Sequence, residues 1–214
     1  MEILDIYKNF KIQKLPINPI ELFDEKIKLL TYENFLKYTD LNYQQLLDIS
    51  SDGFTVYKEG FYLIAYNKKI GSIGRRRFTI MHEVSHILLG HICQNQPLLT
   101  REVKKRDRQE KEADNLAIDI MCPLVVLHFC NVSSVSEIRK LCDISNEATI
   151  FQLQRLSDFR EKFSENLKQK DKELLLHFSD FISKHITTQL SKSNTQRAFN
   201  YHKKALIFAD DIDF

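Results

Sequence analysis

Two hydrophobic rhythms alternate along the chain. Residues 2–13 read as a short helix, and Pro16 and Pro19 punctuate the chain before a second helix at about 18–26. Ile27–Tyr32 has strand character, and Phe35–Ile49 reads as helical or irregular. Gly53–Tyr57 and Phe61–Asn67, separated by Lys58-Glu59-Gly60, predict a β-hairpin. Gly71, Gly74 and Arg75-Arg76-Arg77 then lead into a helix whose apolar positions are Ile80, Val84, Ile87 and Leu88, with Gly90 as its stop. The stretch Arg101–Glu112 is dense in charge and passes into Ala113-Asp114-Asn115-Leu116-Ala117.

Further on, Ser134-x-x-Glu137 is a capping-box pattern. It predicts a helix to about Leu141, a turn at Asp143-Ile144-Ser145 and a helix through Leu156, an arrangement similar to a helix-turn-helix. Phe159, Phe163 and Leu167, then Leu174, Phe178, Phe181 or Ile182, and Ile186, continue an apolar helical stripe to about Leu190. This stripe suits either a cap on the core or a docking or dimer arm. Asn194–Phe214 carries no clear pattern and ends in an acidic run expected to be a loose tail.

Composition narrows the class. A chain of 214 residues with 43% hydrophobic content can bury one substantial core. A net charge of +2 gives no global argument for nucleic-acid binding. The second helix of the helix-turn-helix-like element sets Glu147 against Arg155 and lacks a basic footprint, so direct DNA binding is not expected. No apolar run has membrane-spanning length, and the first residues do not read as a signal peptide. Cys93, Cys122, Cys130 and Cys142 form no CxxC pair and read as buried, reduced thiols of a cytoplasmic protein.

The chemistry concentrates in His82-Glu83-Val84-Ser85-His86. On a helix, His82 and His86 lie one turn apart on one side, placed to grip one Zn²⁺, with Glu83 beside them as general base. Chance would produce HExxH in a chain of this length roughly once in a few hundred. The plainer reading, two solvated histidines on a surface helix, conflicts with the apolar helical context. A catalytic zinc usually takes a third protein ligand. His91 is near, but it follows His86 by five residues, out of register with the long histidine-rich form of the motif. It is expected to cap the helix end or line the site. Glu110, Ala113, Asp114 and Ala117 share a helical face, and the alanines permit close approach. Glu110 is the favoured third ligand and Glu112 the alternative, with Asp114 placed to hold a ligating histidine's other nitrogen. Arg75–Arg77, His91, Tyr66 and His177 are candidates for a second electrophilic group.

Arg77-Phe78-Thr79-x-x-His82-Glu83-x-x-His86, then Leu89-Gly90-His91, Glu110-x-Glu112-Ala113-Asp114-x-x-Ala117 and Met121-Cys122-Pro123 together resemble the ImmA/IrrE family of metallo-endopeptidases. The resemblance covers roughly residues 15–157. Leu116 stands where that family commonly has phenylalanine, and Cys122 interrupts its usual Leu-Met-Pro. The resemblance implies an α+β, gluzincin-like zinc peptidase core: a small sheet, the HExxH helix and a glutamate helix, followed by helix-turn-helix-like and C-terminal helical segments. The expected divisions are 1–130, 131–158 and 159–214. It further implies Zn²⁺ held by His82, His86 and Glu110, catalysis by Glu83, and cytoplasmic cleavage of a helix-turn-helix repressor that derepresses a mobile element or stress response. The competing expectation is a non-catalytic zinc module that sequesters the repressor.

Overall fold

The computed structural model describes residues 2–92, 103–163 and 167–192. Cys93, Arg101 and the acidic tail lie outside the described residues. In chain order the helices and strands are α1 (Ile3–Asn9), β1 (Ile27–Thr31), α2 (Tyr32–Phe35), α3 (Tyr43–Ile49), β2 (Gly53–Lys58), β3 (Phe61–Tyr66), α4 (Ile73–Leu88), α5 (Val103–Met121), α6 (Leu124–Phe129), α7 (Val135–Cys142), α8 (Asn146–Glu161), α9 (Gln169–His177) and α10 (Ser179–Lys192). The architecture is mixed α+β, as expected. The contacts divide the chain into two units, Asn18–Ile118 and Met1–Ile17 with Asp119–Phe214. These boundaries differ from the divisions at 130/131 and 158/159 drawn from the sequence.

Within Asn18–Ile118, the sheet has the order β1-β3-β2. The expected hairpin forms, with Lys58 opposite Phe61 and Glu59-Gly60 as a two-residue turn. Both turn residues have positive φ, 52° and 88°, which matches the twist of the strands and explains the glycine. β1 joins the other side of β3 in parallel, from Ile27 opposite Tyr62 to Thr31 opposite Tyr66. Side-chain alternation gives the sheet two faces. Phe54, Ala65, Leu30 and Val56 pack with Tyr32, Phe35 and Leu46 on one. Thr55 and Ile64 point to the other, where α4 packs on β2 and β3. Gly53 makes that approach possible: a Cβ there would stand 2.7 Å from Thr79 Cγ2.

The segment expected as a helix at 18–26 is a short 3-10 turn, Pro19–Leu22, capped by Asn18. The arginine run is not a lead-in loop. Ser72 caps α4 by accepting from the Arg75 N–H, so Arg75–Arg77 already lie in its first turns. Cations oppose the helix dipole there. Arg75 compensates by pairing with Asp52 at 2.7 Å, and Arg76 donates to the carbonyls of Ile70 and Gly71.

In the other unit, Tyr7 donates to the Ile120 carbonyl at 2.6 Å and meets Phe178 edge to face. The capping box at Ser134 and Glu137 forms as expected, and Asp143 at φ 51° ends α7 before Ser145 caps α8. α8 runs to Glu161, and its Gln152 side chain donates to the Cys122 carbonyl. The stripe beginning at Phe159 is not one helix. α8 ends, and Phe159 and Phe163 both pack on the His128 ring. Downstream, Leu175, Phe178, Ile182 and Ile186 are buried, which answers the cap-or-arm question for these residues in favour of packing. Cys122, Cys130 and Cys142 are buried free thiols, as read from the sequence.

Candidate metal centre

α4 carries His82, Glu83 and His86 on a helix that is bounded at both ends. Its C-terminus closes in a Schellman turn: Gly90, at φ +68°, donates to the Ile87 carbonyl, and the His91 N–H returns to the His86 carbonyl at 2.9 Å. α5 supplies the facing carboxylates, and Ala113 and Ala117 on that helix are fully buried, as small residues at a close packing must be.

The two helices bring three donors together. His82 Nε2 and His86 Nε2 are 3.0 Å apart, and Glu110 Oε2 lies 3.1 Å from the first and 3.5 Å from the second. Tetrahedral zinc ligands at about 2.0–2.1 Å from the ion stand roughly 3.3–3.4 Å from each other, so this triangle has the size of a metal site. His82, His86 and Glu110 are the His/Cys/Asp/Glu group among the described residues whose ligand atoms could hold a metal ion. Asp114, one turn beyond Glu110, meets His82 Nδ1 at 2.8 Å. Glu112 faces elsewhere. It takes Arg108 Nε at 2.8 Å and approaches His91 Nε2 at 3.3 Å.

The electrostatics suit a cation. Burial works against a charged His82, yet the bonds to Asp114 and Glu110 outweigh it and raise the ring's pKa to about 10. The bonds from His82 and His86 hold the Glu110 carboxyl far below the usual carboxylate range.

Glu83 is buried, at 7% exposure. Burial pushes its carboxyl above the ordinary value, with the imidazoles and a hydroxyl pulling back. That hydroxyl belongs to Thr55, whose Oγ1 donates to Glu83 Oε2 at 2.7 Å. Sequence reasoning missed Thr55. The available signal was a polar residue at the strand position where the alternation turns toward α4. Among the candidates for a second electrophile, Arg75 and Arg76 are engaged at the start of α4, and His177 Nε2 is held by the Ile12 carbonyl at 2.6 Å in the other unit. Tyr66 lies opposite Gly53 at the end of β3, on the sheet face that carries Thr55.

The family model described as Peptidase_M78, the IrrE N-terminal-like domain, matches residues 36–153, a span that contains both helices of the site. Neither the curated proteins nor the solved structures give a match. Since the matched span exceeds half of the 214 residues, the chain belongs to the Peptidase_M78, or IrrE N-terminal-like, family and has a metallopeptidase-like function.

Proposed function

We propose that this protein is a zinc-dependent endopeptidase that cuts a peptide bond in a partner protein, with a helix-turn-helix transcriptional repressor as its substrate and derepression of a mobile element or stress response as the outcome. The reading places it in the cytoplasm. Among the described residues, no helix is long and apolar enough to cross a membrane. The observation that carries the reading is the convergence of His82, His86 and Glu110 beside a buried Glu83.

In this reading His82, His86 and Glu110 hold the ion. Zinc, when bound, supplies Lewis acidity toward a carbonyl and brings the pKa of a water toward neutrality. The chain's own part is proton handling and alignment. Glu83 accepts the proton of the attacking water and returns it to the departing amide nitrogen. The Thr55 hydroxyl occupies Oε2, which leaves Oε1 for that transfer. The raised pKa of the buried carboxyl brings it nearer the working pH of a general base.

The substrate's alignment follows from β2. Among the described residues this strand pairs with β3 only. Lys58 faces Phe61 across a two-residue turn, and Asn67 N–H reaches the Asp52 carbonyl, so even-numbered β2 residues face β3 in hydrogen-bonded pairs. The backbone groups of Thr55 and Tyr57 therefore turn away from β3, while the Gly53 N–H is taken by Ser50 Oγ; Thr55 is buried and Tyr57 is only partly so. An extended peptide would add along the less buried Val56–Lys58 end of that edge, next to the residue that holds Glu83.

The test is co-expression with a helix-turn-helix repressor encoded beside this chain, comparing wild type with Glu83→Gln by fragment mass. Cleavage by wild type alone is expected, with zinc content equal in both. Undiminished cleavage by Glu83→Gln would refute the mechanism, and full derepression without cleavage would favour sequestration.

A further inference from the structure

We infer that His91 is the positioning residue for His86, accepting the His86 Nδ1 proton and anchoring that ring through Glu112 to the protein surface. The inference rests on the metal-site reading above and extends it beyond the ligands.

His86 directs Nε2 toward His82 and Glu110 and Nδ1 toward His91 Nδ1, 3.0 Å away. Two ring nitrogens at that distance share one proton: one donates and the other accepts. A histidine that binds a metal through Nε2 must have its lone pair there and its proton on Nδ1. The direction is then set along the whole row. His86 Nδ1–H donates to His91 Nδ1, which must be unprotonated. His91 then carries its proton on Nε2, where Glu112 Oε2 waits at 3.3 Å. Glu112 Oε1 in turn accepts from Arg108 Nε at 2.8 Å. Along this row each donor faces an acceptor. The opposite direction would place a proton on His86 Nε2, inside the donor triangle, where it would exclude a metal.

The fold places His91 for this task. The Schellman turn at Gly90 bonds His91 N–H to the His86 carbonyl, so the two residues are joined by backbone and by ring. The rings meet at 5.1 Å between centroids and 63° between planes. Both are buried, at 3% and 7% exposure, while the Glu112 side chain is 39% exposed. The row thus runs from the donor triangle to solvent. The five-residue spacing that disqualifies His91 as a third ligand brings it onto the far nitrogen of the second one. His82 has the same kind of support from a carboxylate, Asp114. Outer partners of this kind orient a ligating ring and raise its basicity.

The experiment uses the full chain and zinc in competition with a chromophoric chelator. His91→Phe keeps a ring of similar shape and removes the acceptor. His91→Asn keeps an acceptor where Nδ1 stood. Zinc affinity is expected to fall about 10–100-fold in His91→Phe, with most of the loss restored in His91→Asn. Long-range proton–nitrogen NMR of the zinc-loaded wild type should show His91 protonated on Nε2 and bare on Nδ1. This measurement needs no variant and decides the matter even if His91→Phe does not fold. Wild-type affinity in His91→Phe, or a proton on His91 Nδ1, overturns the inference and leaves the metal site standing. Failure of the wild-type chain to bind zinc overturns the metal reading and the inference together.

Discussion

Replacing Thr55 by valine removes one hydroxyl and leaves the shape of β2 unchanged. In the native chain that hydroxyl donates at 2.7 Å to a carboxylate that is only 7% exposed, so water cannot replace the lost bond. Hydrogen bonds to charged groups contribute about 1.5–3 kcal/mol. The extra buried methyl of valine returns about 0.8 kcal/mol. The metal-free protein should therefore lose ~1–2 kcal/mol at pH 8, measured from urea midpoints with a chelator present. The pH dependence identifies the cause. Burial raises the folded-state pKa of Glu83 above its ordinary value, so the cost of the ionised form is fully present above that folded pKa and disappears as pH falls through it. The deficit of Thr55→Val relative to wild type should shrink in the same direction, because a protonated Glu83 no longer needs the donor. Thr55→Ser should behave as wild type, and the deficit should be smaller in a Glu83→Gln background. A deficit that is the same at every pH and persists beside Glu83→Gln would refute the claim that Thr55 acts through Glu83.

His82, held at a pKa of about 10, must lose its proton to ligate, so zinc uptake near pH 7–8 should release about one proton and affinity should climb with pH up to that value. Calorimetry in two buffers of different ionisation heat measures the count, and zero release would refute the shift. Gly53→Ala drives a Cβ to 2.7 Å from Thr79 Cγ2 and should cost about 1–3 kcal/mol in urea unfolding. Thr79→Ser, which removes that methyl, should recover much of it, and strict additivity of the pair would contradict the packing described. At α7, bonds from Ser133 and Ser134 outweigh burial and hold the Glu137 carboxyl low. Its contribution is present above the ordinary carboxylate pKa and is lost as pH falls through the lower folded value, so Glu137→Gln should destabilise at neutral pH and matter least in acid. Equal destabilisation at both pH values would count against this.

What could be read in advance depended on the range of the interaction. The HExxH pair, the Glu110–Asp114 face and the Ser134 capping box each lie within one or two helical turns, and periodicity alone places their members on one side. The hairpin was legible because Glu59-Gly60 is a local turn. The parallel pairing of β1 with β3 was not, because 35 residues separate Ile27 from Tyr62 and nothing local marks the register. Thr55 escaped for the same reason: its partner lies 28 residues away, on a helix whose distance from the strand is set by a glycine. The arginine run was misread because Ser72, a short polar residue before a basic triad, was not recognised as the cap. The apolar stripe from Phe159 continues in spacing but not in helix, since His128 gathers Phe159 and Phe163 across the point where α8 ends.

The division of labour among the carboxylates of α5 follows from helix geometry. Residues four apart return to nearly the same side, and residues two apart point well away. Glu110 therefore reaches the inner nitrogens of both histidines, while Asp114, one turn on, reaches the outer nitrogen of His82. Glu112 is turned toward Arg108, four residues back, and toward His91. Exchanging the roles of Glu110 and Glu112 would require rotating the helix by nearly half a turn, which would expose Ala113 and Ala117, both fully buried. The burial of two alanines thus selects which glutamate faces the histidines. The same packing leaves the other glutamate to hold His91, so that each histidine of α4 has one nitrogen inside the donor triangle and one bound outside it.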